Sequence, residues 1–358
     1  MADGSINIDD FCHRLPKVEL HAHLNTSYSM KFLRELARHN GIAEEDFVQD
    51  LCLKEAKPLD EGFALFVRLH QIFKTEEAIY RLTCSVIKEF AEDNVKYLEL
   101  RSTPKMIPET GMTRDLYMQT MVRAVKDCEK EGLDITVRLL VSIDRRHGVE
   151  VARIAVDLAD KLMQSTQGLV LGVDFSGDPK VGDATDFIPV FLDAAKRGLK
   201  LSLHLAEIPL YEETKNVLQA CCRSCTMRIG HGTFLHRYDL GKGHEEMEDI
   251  VLQWKIPIEA CVTSNILSKT VDCPGTHHFH YWHSKQHPVI LCTDGKGAFG
   301  CSLTDEYSKV AKEFGFGKRD LLAYALSTVD SIFEGDQVKQ RLRETMRVFG
   351  QKESINGL

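Results

Sequence analysis

The sequence predicts an α/β chain folded as a TIM (β/α)8 barrel with extra helices. Eight short apolar runs recur along it: Lys17 to Leu24, Val95 to Arg101, Ile135 to Ile143, Leu169 to Phe175, Lys200 to Leu205, Met227 to His231, Ile256 to Val262 and Val289 to Thr293. Longer segments whose apolar residues return at helical spacing separate the runs. Strand and helix in alternation build a parallel sheet, and eight such units close into a barrel. Several runs are almost uninterrupted hydrophobic strings, such as Val-Arg-Leu-Leu-Val-Ser-Ile at 137–143 and Leu-Val-Leu-Gly-Val-Asp-Phe at 169–175. Strands covered on both faces have this composition.

Taken in order, residues 1–14 open polar and acidic and are expected to form an N-terminal tail. The first strand follows. Residues 32–73 are extra helical material expected near the barrel mouth. Glu76 to Glu92 carries Ile79, Leu82, Val86, Ile87 and Phe90 on one helical face, and Arg114 to Lys130 carries Leu116, Met121, Val122 and Val125. Glu150 to Met163 and Asp183 to Arg197 repeat the pattern. Residues 318–349 read as closing helices. No Pro/Gly/Ser linker interrupts the 358 residues, so 1–358 is expected to be one domain.

The net charge is −8 and the basic residues are dispersed, which gives no footprint for a nucleic-acid backbone. No apolar stretch approaches membrane-span length, and no secretory signal is visible at the N-terminus. Eleven cysteines, an odd number, lie scattered in apolar stretches. That suits reduced thiols better than a disulfide framework, so a cytoplasmic location is expected. Cys221, Cys222 and Cys225 resemble half a metal site but lack a second pair at zinc-finger spacing, which leaves helix-end packing as the reading. The chain is expected to act as a monomer on a small molecule, with neither nucleic acid nor membrane as partner.

Barrel enzymes carry their chemistry at the C-terminal ends of strands. There the first run presents His21 and His23, one residue apart and therefore on one face. The fourth ends in Asp174, Ser176 and Gly177, the fifth in His204 followed by Glu207, the sixth in His231 and the eighth in Thr293 and Asp294. Gathering three or more histidines and an aspartate at one barrel face costs desolvation unless an ion compensates. Three imidazoles and a carboxylate suit Zn²⁺ with one position left for water. A base and an acid are then needed, and His231 and Glu207 are left over for those roles.

The segments Pro16 to Leu24, His204-Leu205-Ala206-Glu207, Arg228 to Gly232 and Cys292-Thr293-Asp294 resemble the adenosine deaminase superfamily. Leu24-Asn25, Leu98 to Pro104, Asp144-Arg145-Arg146, Asp174 to Pro179 and Thr263-Ser264-Asn265 resemble, more narrowly, its adenosine deaminase-like branch, the N6-methyl-AMP deaminases. The resemblance implies a barrel of the metal-dependent hydrolase type and a hydrolytic deaminase of a purine nucleoside monophosphate. One zinc ion would be held by His21, His23, His204 and Asp294, with His23 also beside the substrate. Glu207 would share a proton with the purine ring nitrogen, and His231 would orient and deprotonate the attacking water. The backbone of Gly177 would contact the purine. Asn25, His70, Ser102, Thr103, Pro104, Lys105 and Asp144 would surround the ribose phosphate.

Two departures from the family pattern stand out. Gly295 replaces a second acidic residue that contacts the purine, and Thr26 replaces a glycine. On this reading Gly295 marks an impaired purine contact, and Gly295→Asp is expected to raise activity. Two rivals are another amidohydrolase and a weakened nucleotide-binding relative. Neither the fourth nor the fifth strand ends in the lysine that two-metal amidohydrolases use as a bridge. The histidines crowded between His277 and His287 are expected to play a structural or lid role.

Overall fold

The computed structural model describes residues 7–39, 51–53, 55–56, 69, 72–236 and 244–355. Its centre is an eight-stranded parallel sheet in chain order: β1 (Lys17–His23), β2 (Val95–Ser102), β3 (Thr136–Asp144), β4 (Val170–Ser176), β5 (Lys200–Leu205), β6 (Met227–His231), β7 (Ile258–Ala260) and β8 (Val289–Leu291). The last strand meets the first just beyond its end. His23 N–H donates to Asp294 O and Asp294 N–H to His21 O, each at 2.8 Å. That parallel bridge from Ala22 to Asp294 closes the barrel. The TIM barrel expected from the sequence is the observed fold. The last two strands are shorter than their apolar runs.

Helices cover the outside. Met30–His39 (α2) follows β1. Glu76–Glu92 (α3) and Arg114–Lys130 (α4) run over the expected segments, each capped by a threonine, Thr75 and Thr113, whose hydroxyl accepts a first-turn N–H. Gly148–Ser165 (α5), Ile188–Lys196 (α6), Tyr211–Cys221 (α7), His244–Trp254 (α8), Val262–Leu267 (α9), His278–Ser284 (α10) and Leu303–Phe314 (α11) follow. Lys318–Thr328 (α12) and Asp336–Lys352 (α13) are the expected closing helices. Residues 8–14, expected as part of a tail, instead form a helix, α1 (Ile8–Arg14), with Phe11 and Cys12 fully buried. The ammonium of Lys17 explains the docking: it donates to Cys12 O at 2.9 Å and Leu15 O at 3.0 Å, satisfying carbonyls at the helix end. Of the expected 32–73 insertion, the described parts include most of α2, Leu69 and Phe73; the remainder lies outside the described residues.

The barrel interior is more charged than its hydrophobic strings suggest. Glu19, Glu99, Arg101, Asp174, Arg228 and Glu259 are all fully buried. Buried charge is tolerated only when paired. Arg101 donates to Asp174 at 2.9 Å and to Glu259 at 3.0 Å, and Arg228 reaches Glu259 at 2.6 Å and also pairs with Glu99. This ionic layer lies beneath the strand ends.

Candidate active site

Four residues from three of the strand ends named from the sequence converge. His23 Nε2 lies 3.2 Å from His204 Nε2, and Asp294 Oδ1 lies 3.6 Å from His23 Nε2 and 3.8 Å from His21 Nε2. Two ligands about 2.0–2.1 Å from one tetrahedral ion stand roughly 3.3 Å apart, so these spacings fit a metal cage. The donor chemistry agrees. His21 Nδ1–H donates a hydrogen bond to Glu259 Oε2 at 2.7 Å, which leaves a lone pair on Nε2. That nitrogen is buried and has no hydrogen-bond partner among the described residues. His204 Nδ1 lies 3.1 Å from Asp174 Oδ1, an ion-pair approach off the line of a good hydrogen bond. It turns the ring so that Nε2 faces the cage. Ser264 Oγ donates to Asp294 Oδ2 at 2.7 Å and leaves Oδ1 toward the imidazoles.

Backbone strain helps to aim these groups. Ala206, His231 and Asp294 have φ of 52°, 61° and 59°, left-handed values uncommon in residues with a side chain. They follow or end β5, β6 and β8, and residues in such conformations cluster at functional sites. His231 Nε2 stands 3.7 Å from Glu207 Oε1. Burial pushes the Glu207 carboxyl up to about 7, the range in which a group both holds and releases a proton at neutral pH.

A cavity of about 700 Å³ opens from this cage and is lined by His23, Asn25, Thr26, Ser102, Thr103, Pro104, Lys105, Asp144, Gly177, Glu207 and Asp294, among others. The expected site residues therefore meet in one space, with three exceptions: His21 belongs to the cage but lies behind the cavity wall, His70 lies outside the described residues, and Gly295 is not on the wall. Asn25 is held there by Tyr117, whose hydroxyl donates to Asn25 Oδ1 at 3.3 Å and pairs with Ser102 at 2.7 Å. Asp144 is spent within the chain, because Arg146 Nε donates to it at 2.9 Å. Arg145 turns away to Glu213 at 2.7 Å. Lys105 is different. Its Nζ is buried, has no partner among the described residues, and is pulled down to about 7 by burial.

Gly177 has a φ of 104°, and a Cβ there would run into Asp144 Oδ1, so glycine is required by both conformation and space. Gly295 overturns an expectation. A Cβ at 295 would stand 2.7 Å from Thr26 Cβ and 2.6 Å from its Oγ1. The two departing positions share one space. Thr26 fills the space that a side chain at 295 would need, and Gly295→Asp alone creates a collision instead of restoring a contact.

Sequence reasoning gave no individual role to Glu259, Arg101, Tyr117 or Asn265. Glu99, Arg101, Arg228 and Glu259 stand as charges within apolar strands, which was a legible sign of an internal ionic layer. Of the structural or lid role expected for the crowded histidines, His277 and His278 take the structural one: both are buried, and His278 Nε2 donates to His231 O at 2.8 Å.

The family model described as adenosine deaminase matches residues 16–348. The chain belongs to the adenosine deaminase family. It is a hydrolytic deaminase by that membership. An N6-methyl-AMP deaminase from Danio rerio is 43% identical over 339 residues, covering 94% of this chain and 96% of its own. The Homo sapiens N6-methyl-AMP deaminase is 42% identical over 336 residues, covering 94% and 93%. A solved ADAL–IMP complex superposes with a TM-score of 0.85 at 34% identity, covering 96% of this chain and 99% of its own. The apo N6-methyl-AMP deaminase from Arabidopsis thaliana gives 0.83 at 34% identity, covering 96% and 99%.

Proposed function

We propose that this chain, acting as one catalytic domain, hydrolyses the N6-substituted amine of a purine nucleoside monophosphate, N6-methyl-AMP giving IMP and methylamine. The observation that carries the reading is a single cavity with a metal-binding cage at one end and, on its wall, the buried amine of Lys105, which has no partner among the described residues. A phosphate supplies the charge that Lys105 lacks, and a cage of imidazoles addresses the purine carbon. The high identity to N6-methyl-AMP deaminases over nearly the whole chain supports the same substrate.

His21, His23, His204 and Asp294 would hold one zinc ion, which when bound supplies the Lewis acidity that makes water nucleophilic near neutral pH. The net reaction forms a bond from C6 to the oxygen of water and breaks the bond from C6 to N6. One hydrogen of the water ends on ring N1 and the other on the departing methylamine. Glu207, poised near neutrality, carries these protons. The Gly177 backbone lies against the purine, and His231 faces the attacked carbon. Asn25, Ser102, Thr103 and Lys105 hold the ribose phosphate. The reading takes the enzyme as a cytoplasmic monomer. All eleven cysteines are free thiols, which suits a reducing compartment. Among the described residues no helix is long and apolar enough to cross a membrane.

Steady-state assays of metal-quantified protein with N6-methyl-AMP, AMP and adenosine test the proposal. The kcat/KM for N6-methyl-AMP is expected to exceed that for adenosine by at least about 100-fold, because a site built to pair a group rejects the analogue without it. Equal values for monophosphate and nucleoside would overturn the phosphate assignment.

A further inference from the structure

His231 ends β6 beside the cage, and its other ring nitrogen points into the protein. Nδ1 lies 3.2 Å from Asn265 Nδ2. Asn265 Oδ1 lies 3.0 Å from His277 Nε2. His277 caps α10, and its Nδ1 lies 3.1 Å from the backbone nitrogen of Phe279. Three buried side chains thus form a chain of hydrogen bonds from a helix N-terminus to the candidate catalytic centre.

The direction of that chain is determined at its anchored end. A backbone N–H can only donate, so His277 Nδ1 accepts and carries no proton. Burial holds the His277 imidazole neutral, with its pKa pushed down to about 3. Its single proton is therefore on Nε2 and is donated to Asn265 Oδ1. The remaining face of the amide is its NH₂, which donates to His231 Nδ1. His231 Nδ1 is then an acceptor, and in the neutral ring the only proton is on Nε2, the atom that faces Glu207. The amide is not free to flip, because the flip would set two donors against each other at His277.

We infer that Asn265 and His277 are positioning residues that hold His231 as an Nε2–H donor, so that His231 steadies the attacking oxygen and does not take up its proton. A proton cannot be added at Nε2, which already carries one. Adding it at Nδ1 would set an N–H against the Asn265 NH₂, a buried donor–donor contact. The inference then assigns both water protons to Glu207, 3.7 Å from His231 Nε2, which passes them first to N1 and then to the leaving amine. This departs from the role expected for His231 as the base. Its catalytic consequence rests on the deaminase reading, whereas the tautomer is a property of the chain.

Histidine side-chain ¹⁵N–¹H spectra of the zinc-loaded enzyme read that tautomer, with His231 assigned by loss of its signals in His231→Gln. The expected result is a pyridine-type nitrogen at Nδ1 and a pyrrole-type nitrogen at Nε2. A proton on Nδ1, in either the neutral or the imidazolium form, would overturn the inference without any variant of the chain. Asn265→Asp sets an acceptor against Nδ1. It is expected to draw the proton there and lower kcat about 100-fold or more, with KM changed by less than about threefold. His277→Gln keeps a donor toward Asn265 and is expected to retain the wild-type tautomer and most of kcat, whereas His277→Leu is not. Loss of turnover in Asn265→Asp with the tautomer unchanged would reduce Asn265 to a structural residue and refute the inference. Absence of turnover of every purine monophosphate by the wild type would instead refute the deaminase reading, and the spectrum would still decide the tautomer.

Discussion

At the inner end of the cavity, nearly every buried charge is answered by the chain itself. Glu259 accepts a hydrogen bond from His21 while Arg101 and Arg228 hold its charge, and Asp174 stands between Arg101 and His204. On the outer wall, Lys105 is buried with no partner among the described residues. The first arrangement is complete before any substrate arrives, and removing one partner from such a buried pair costs about 3–5 kcal/mol. The second waits for its counter-charge. Metal ligands must be held to within a few tenths of an ångström, so rigid strands carry them. A phosphate brings its own charge and hydrogen-bond acceptors, so a loop with an unsatisfied amine suffices and discriminates against ligands that leave it unpaired.

The largest expected effect probes the inner end. Glu207→Gln removes the carboxyl that burial has brought to about 7 while keeping its size. A loss in kcat on the order of 10³-fold is expected, with metal content unchanged at one ion per chain by elemental analysis. Retention of most of kcat would move the proton-carrying role to another residue and break the assignment of Glu207.

Next is the outer wall. Lys105→Met is expected to lower kcat/KM for the monophosphate about 100-fold and to leave adenosine, which has no phosphate, near its wild-type rate. An equal loss on both would show that Lys105 is structural. The same lysine gives a pH signature. Folded, it sheds its proton near 7, whereas unfolded it keeps it to about 10.4. The unfolded state therefore binds more protons through that window, and the Lys105 contribution to ligand-free stability rises with pH across it. A bound phosphate restores the charge. At pH 8, calorimetry in buffers of different ionisation enthalpy is expected to show uptake of up to about one proton on IMP binding, lost in Lys105→Met. Arg114, Arg146, His147, Lys74, Glu109 and Asp144 line the same cavity, and the variant separates Lys105 from them.

The smallest effect concerns the seam between β1 and β8. Gly295→Asp alone is expected to destabilise by about 1–3 kcal/mol, the usual cost of overpacking, and to lower activity. Thr26→Gly in the same chain is expected to relieve the collision, so the double variant recovers stability seen as a rise in Tm over the single one. Additive losses would mean that the two positions do not share the space.

Much of the site was legible because its signal is local. Alternation placed His21 and His23 on one face, and strand ends were countable from apolar runs, so the cage residues could be named. The aspartate after β8 and the glutamate after β5 were found in the same way. Asn265 and His277 stood in segments the sequence singled out, but their connection to His231 was not legible, since it spans 34 and 12 residues in two steps. The N-terminal helix escaped because its docking depends on Lys17, which as sequence reads only as a charge at the head of a strand.

By itself the sequence determined the eightfold alternation, the family and the residues that stand at the strand ends, because periodicity and position along a strand are properties of neighbouring residues. The tertiary structure alone decided which nitrogen of His231 carries the proton, why Thr26 leaves room only for glycine at 295, and that Lys105 is a buried amine without a partner among the described residues. Each of these depends on which atoms from distant segments are packed against one another. Hydrogen-bond direction, steric exclusion and desolvation all act over a few ångströms in space, and separation along the chain does not predict them.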